Sequence, residues 1–205
     1  MSGADIASPG RGATNGGHDR GETGENVLVL SSGTDGTESH CTDRRSSSGT
    51  VTQNLLLVSL DGAPGRRLDA VVREGAEGST NVGVVCCEGI RHPVTARSTD
   101  GPGADAEPWV ATVPSAGDLT GIGIRIEQAL SAWSDATGPV ELRFHSLTTL
   151  CRLVDDRSAF RFCHAVTRHL DAVGASSRFH LDPRAVDDRT VATLSALFDR
   201  VEDRT

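Results

Sequence analysis

Apolar runs that are continuous rather than alternating constrain this chain most. Residues 27–30, 55–60 and 81–87 read VLVL, LLLVSL and NVGVVCC. An alternating strand can leave one face in water, but an uninterrupted run must be covered on both. Residues 109–113, WVATV, are a short strand candidate. Between the runs lie polar stretches. Residues 31–50 and 88–108 read as exposed loops, and DGAPG at 61–65 is a turn before a short helix over about 66–74.

The second half carries the helical period. Behind Asp118, a good N-cap, Leu119, Ile122, Ile126, Leu130 and Trp133 recur at spacings of three and four. Gly138-Pro139 stops that helix, and residues 140–145 predict a strand with Val140, Leu142 and Phe144 on one face. A second helix runs from about 156 to 173, with Phe160, Cys163, Val166, Leu170 and Val173 apolar and Gly174 as its C-cap. Residues 177–181 predict a strand. Asp187 or Asp188 then caps a last helix with Val191, Leu194, Leu197 and Val201 inward. Strands alternating with helices predict an α/β fold: three layers, with a mostly parallel sheet between helices. Such folds bind ligands beyond the carboxyl ends of their strands, so the loop after Leu30 is the first place to look.

Composition narrows the chemistry. All 20 basic side chains are arginine, and lysine is absent from the 205 residues. That removes lysine Schiff bases, lysine nucleophiles and the lysine that grips phosphate in a P-loop. The 28 acidic residues set the net charge at −8, which repels nucleic acid and anionic lipid. Acid without lysine fits a cell living in concentrated salt, where charges are screened within about 3 Å; a GC-rich genome is the other source. Five cysteines, at 41, 86, 87, 151 and 163, follow no metal spacing and read as free thiols of a reducing compartment. Residues 1–25 are poor in large apolar side chains and predict a disordered tail, leaving 26–205 as one domain. With no apolar segment of membrane length, the expectation is a cytoplasmic protein.

The segment VLVLSSGTDGTESH stands where a P-loop ATPase keeps its phosphate cradle, G-x-x-x-x-G-K-[ST]. Gly33 and Gly36 are present; the lysine and the glycine spacing are not. The run VELRFHSLTTLCRLVDDRSAFRFCHAVTRHL resembles the Walker B region of RecA/KaiC-type ATPases, where an apolar strand ends in Asp-Ser-Leu-Thr; here the residues are His145-Ser146-Leu147-Thr148. With PSAGDLTGIGI, FHSLTTL and FHLDPRAVDDRTVATLSALFD, the region from 26 to 200 resembles a haloarchaeal domain family of unknown function related to RecA and KaiC. The resemblance implies a sheet of the RecA/KaiC-like P-loop type. It makes Ser32, Gly33, Thr34, Gly36 and Thr37 a vestigial nucleotide loop, His145 the Walker B-like position, and Asp61 the one acid after the second strand that could serve. A neutral imidazole is a poor ligand for magnesium, which prefers oxygen. The implied function is a degenerate, non-catalytic domain, a regulatory or protein-interaction module with a protein partner or self-association, and with no nucleic acid, membrane, metal or cofactor. The alternative is a nucleotide-binding sensor or weak ATPase that takes ATP and magnesium on the backbone amides of residues 32–37.

Other constellations offer less. His145 could approach His180 if their strands are neighbours, as in RecA-like sheets, and Asp182 would complete a two-His, one-Asp site. Against this, Asp182 before Pro183 also fits a plain strand exit. Gly121 and Gly123 form only a fragment of a dinucleotide fingerprint, and a close helix start explains them. Glu141 and Arg143 lie on the less apolar face of their strand, which needs either charged partners or a position near an edge.

Overall fold

The apolar runs do become strands, and every one of them pairs in parallel. The computed structural model describes residues 24–32, 53–60, 79–87, 109–145 and 147–205. In chain order these form β1 (Asn26–Leu30), β2 (Gln53–Ser59), β3 (Ser79–Cys87), β4 (Trp109–Val113), α1 (Leu119–Ala132), β5 (Val140–Phe144), α2 (Leu147–Leu153), α3 (Asp156–Val173), β6 (Ser176–Leu181), α4 (Asp188–Ser195) and β7 (Arg200–Asp203). The strands make one seven-stranded sheet in the order β4-β3-β2-β5-β6-β1-β7. From β1 to β4 the chain moves toward one edge. From β4 onward it returns and passes to the other edge at β7. The α/β class and parallel sheet read from the sequence are therefore what the chain adopts. The tail expected over 1–25, apart from Gly24 and Glu25, lies outside the described residues, as do most of the 31–50 loop, the 66–74 helix and the 88–108 loop.

The central strands are buried on both faces. On one, Leu56 and Val58 of β2 join Leu142, Phe144, Phe179 and the inward sides of α1 and α3 in the main core. On the other, Leu55 and Leu57 pack with Val84 and Cys86. Two-sided burial is the condition of a sheet within a three-layer fold. Phe144 stacks on Phe179 with centroids 5.1 Å apart, and Phe162 of α3 meets Phe144 edge-on at 5.9 Å.

Helix ends follow the sequence signals. Asp118, Asp155 and Asp187 accept backbone N–H groups of Gly121, Ser158 and Thr190, so Asp187 rather than Asp188 caps the last helix. A Cβ at Gly121 would run into the Asp118 carboxylate, which explains that glycine without any dinucleotide. Gly174 ends α3 at φ 69°, the left-handed region where glycine is favoured.

Glu141 and Arg143 sit on a central strand, so their charges are answered by partners, not by an edge. Glu141 holds Arg143 at 2.8 Å and Arg178 of β6 at 3.9 Å. Arg178 reaches Glu202 of β7 at 3.3 Å, and Glu202 also takes Arg200 at 3.0 Å and Arg204 at 2.6 Å. Partial burial pushes the Glu202 carboxyl up, but the Arg204 hydrogen bond and the charges of Arg178, Arg204 and Arg200 outweigh it and leave it below the usual range.

Two expectations fail. On α3, Val173 is 51% exposed and Phe160 only half-buried, and Phe162 takes the core side in their place. The last helix stops at Ser195, and Val201 lies in β7, 41% exposed, instead of facing inward from a helix. Asp199 N donates to Asn26 O, and the chain then joins β1 as an edge strand, Arg-Val-Glu-Asp. Its charges suit an edge, where they discourage pairing with another chain, and they hid the strand from any apolar pattern.

Candidate functional site

The reversal of chain direction creates the site. Strands β1 and β2 leave the sheet toward one edge, and β5 and β6 leave toward the other, so their carboxyl ends flank a topological switch. Ligands of open α/β sheets lie at such crevices. Four strand ends meet there: Ser31 after β1, Leu60 after β2, His145 after β5 and Asp182 after β6. Ser31 N donates to Leu181 O at 3.0 Å, and His145 N donates to Val58 O at 2.9 Å, so the ends stay laddered beyond the last sheet residues.

Strands β5 and β6 are neighbours, with Phe144 opposite Phe179. One residue further on, His145 and His180 stack with centroids 4.8 Å apart and planes 21° from parallel. They lie on the face away from the Phe144–Phe179 pair, because strand side chains alternate. Burial, and then the nearby Arg143 charge, push the His145 imidazole down to about 4, against a smaller upward pull from Glu141. At neutral pH the ring is therefore uncharged.

Asp182 does not complete a metal triad. Its Oδ1 accepts Arg184 N at 2.9 Å, a turn that closes the strand exit, while its own N donates to Thr148 Oγ1 at 2.8 Å. Among the described residues, no group of three His, Cys, Asp or Glu side chains could hold a metal ion. Of the other residues expected here, Ser32 is half-buried after β1, whereas Gly33, Thr34, Gly36, Thr37 and Asp61 lie outside the described residues.

The α2–α3 corner and the β6–α4 connection border an open hollow of about 490 Å³, lined by Cys151, Arg152, Asp156, Arg184 and Thr190 among others. Burial, then the charge of Asp156, push the Cys151 thiol up to about 11, so it is no nucleophile at neutral pH. Among the described residues, Cys86, Cys87, Cys151 and Cys163 form no disulfide with one another; Cys41 lies outside the described residues.

Sequence reasoning did not single out α2 as an element, although it supplies Thr148. It also missed a row of arginines on the outer face of α3. The signal was available in the spacing of Arg157, Arg161, His164 and Arg168, which repeats at four and three.

With fold and site in place, comparison places the chain. A model described as "Family of unknown function (DUF7504)" matches residues 24–202. The chain belongs to that family. Among solved structures, a protein of Pyrococcus horikoshii OT3 from a structural study is similar at 12% identity and a TM-score of 0.54. The match covers 90% of this chain and 83% of that one, and it shows likeness of fold alone. No curated protein matches. Among the described residues no helix is long and apolar enough to cross a membrane.

Proposed function

We propose that this DUF7504 member is a RecA/KaiC-like domain of a salt-adapted archaeon that has given up phosphoryl transfer and serves in the cytoplasm as a regulatory or protein-interaction module. The observation that carries the reading is His145. It ends the strand that would present the Walker B carboxylate, and it is an uncharged ring stacked on His180. The adjacency of β5 and β6, expected of RecA-like sheets, supports the same comparison. Phosphoryl transfer rests almost wholly on positioning and charge: a lysine and a metal on the phosphates, and a carboxylate on the metal. The chain has no lysine at all, and nitrogen replaces oxygen at the metal position.

Calorimetry with ATP and magnesium in about 1 M KCl, where surface charges are screened to about 3 Å, tests this reading. The expected result is no binding tighter than about 1 mM, roughly −4 kcal/mol. Tighter binding that disappears when Ser32, Gly33 and Thr34 are replaced overturns the reading in favour of a nucleotide sensor with a lysine-free phosphate loop.

A further inference from the structure

We infer that the outer face of α3 is the docking surface for an acidic protein partner, one that presents carboxylates along a helix. This deepens the interaction role proposed above and rests on it. Arg157, Arg161, His164 and Arg168 are all exposed. At 100° per residue they fall within about 60° of arc, in a row about 16 Å long. The apolar side of α3, with Phe162, Cys163, Val166 and Leu170, is buried in the core and points the opposite way. Phe160 lies beside the row, half-buried, its ring parallel to that of His164 at 6.2 Å and 6°.

No carboxylate among the described residues pairs with these three arginines, although elsewhere the same chain answers Arg143, Arg178, Arg200 and Arg204 with Glu141, Glu202 and Glu25. The row is also unfavourable for the helix itself. Arg157 and Arg161 are like charges one turn apart. Arg157 stands in the first turn, where the helix dipole favours negative charge. On a chain of net charge −8 it is a local reversal of sign. A partner helix with Glu or Asp at the same period would meet each guanidinium with a planar acceptor, the geometry arginine recognises in two-bonded form. Nucleic acid is the competing polyanion, and the titration includes it as an outcome.

The probe is a fluorescent helical peptide with Glu at positions i, i+4, i+7 and i+11 and otherwise uncharged, titrated with the full chain at about 1 M KCl, where a Debye length near 3 Å leaves only charges in direct contact to interact. Binding tighter than about 1 mM, weakened tenfold or more in the triple variant R157Q/R161Q/R168Q and unaffected by R189Q on α4, is the expected outcome. The urea midpoint of the triple variant should be at least that of the parent, because the row opposes helix stability. Three outcomes overturn the proposal: no binding tighter than about 1 mM, equal binding by the triple variant, or a single-stranded oligouridylate bound tenfold better than the peptide through the same arginines. The ATP titration above reads independently of all three. Nucleotide binding there would remove the non-catalytic reading and leave the arginine result standing.

Discussion

Acid should unfold this protein earlier than its carboxylates alone would require, and His145 is the reason. Burial and Arg143 hold its imidazole near 4, against an ordinary value of 6.5. A proton that binds the unfolded chain more readily than the folded one favours unfolding. The stabilisation is present in full above pH 6.5 and is lost as pH falls through that value toward 4. Linkage with those two values gives a loss of about 2 kcal/mol between pH 7.5 and pH 5, and about 3 kcal/mol by pH 4 and below. The window is separable from carboxylate titration. Asp155, Asp187 and Asp203 have their carboxyls held low by hydrogen bonds from Ser158, Thr190 and Thr205, so their contributions fade only below about pH 4. Urea unfolding at pH 7.5 and pH 5.0 should be measured for the parent and for His145→Gln, which keeps a polar side chain that does not titrate. The parent should lose about 2 kcal/mol more than the variant over that interval. Equal losses in the two proteins would refute the claim that His145 is held uncharged beside Arg143, and with it the chief support for the function proposed above.

Three further outcomes follow from packing. At Gly83 an added Cβ would lie 3.0 Å from Leu56 Cδ1 and from Trp133 Cη2, and 3.2 Å from Trp109 Cε3, so Gly83→Val should cost at least 1–3 kcal/mol in denaturant melts, roughly the overpacking range, whereas Gly123→Ala, with open space around it, should stabilise α1. Asn26 donates its side-chain amide to Asp171 at 2.6 Å and accepts Ser177 Oγ at 2.6 Å, and Asn26→Ala should cost about 1–3 kcal/mol by leaving the buried Ser177 hydroxyl without that partner. Removing the α4 cap with Asp187→Ala should lower the urea midpoint, and hydrogen exchange should show the loss first at the amide of Thr190.

The strands that were easiest to find are the ones whose faces are both covered. VLVL, LLLV and VVCC can only be buried, and buried parallel strands need helices between them. β7 was illegible for the converse reason. Arg-Val-Glu-Asp is an edge whose charges answer Arg178 and one another, and nothing local separates that pattern from the end of an exposed helix. The short α2 has only Leu147 and Leu150 buried, too few positions to set a period. At the site, the approach of His145 to His180 was legible because it follows from two strand ends lying in register. The fate of Asp182 was not, because a carboxylate before proline serves a ligand or its own turn equally well until the partner, Arg184 N, is seen.

The asparagines at the amino edge of the sheet bear on a different problem. A run such as Leu55-Leu56-Leu57-Val58 is equally greasy on both sides, so sliding it by one residue against β3 or β5 would exchange one set of buried side chains for another of the same kind. Apolar burial alone therefore leaves this sheet with competing alignments of similar energy. Asn54 breaks the tie. It is fully buried and donates to the carbonyls of Thr137 and Gly138 just before β5, while its oxygen accepts Asn81 Nδ2 of β3 at 2.7 Å. A slip by one position would bury that amide without partners. Asn26 plays the same part for β1 against β6, through Ser177. These side chains select one alignment from several that the leucines would tolerate. Replacing them with apolar residues of similar volume should yield a compact chain with slow, heterogeneous refolding, rather than one that is simply less stable.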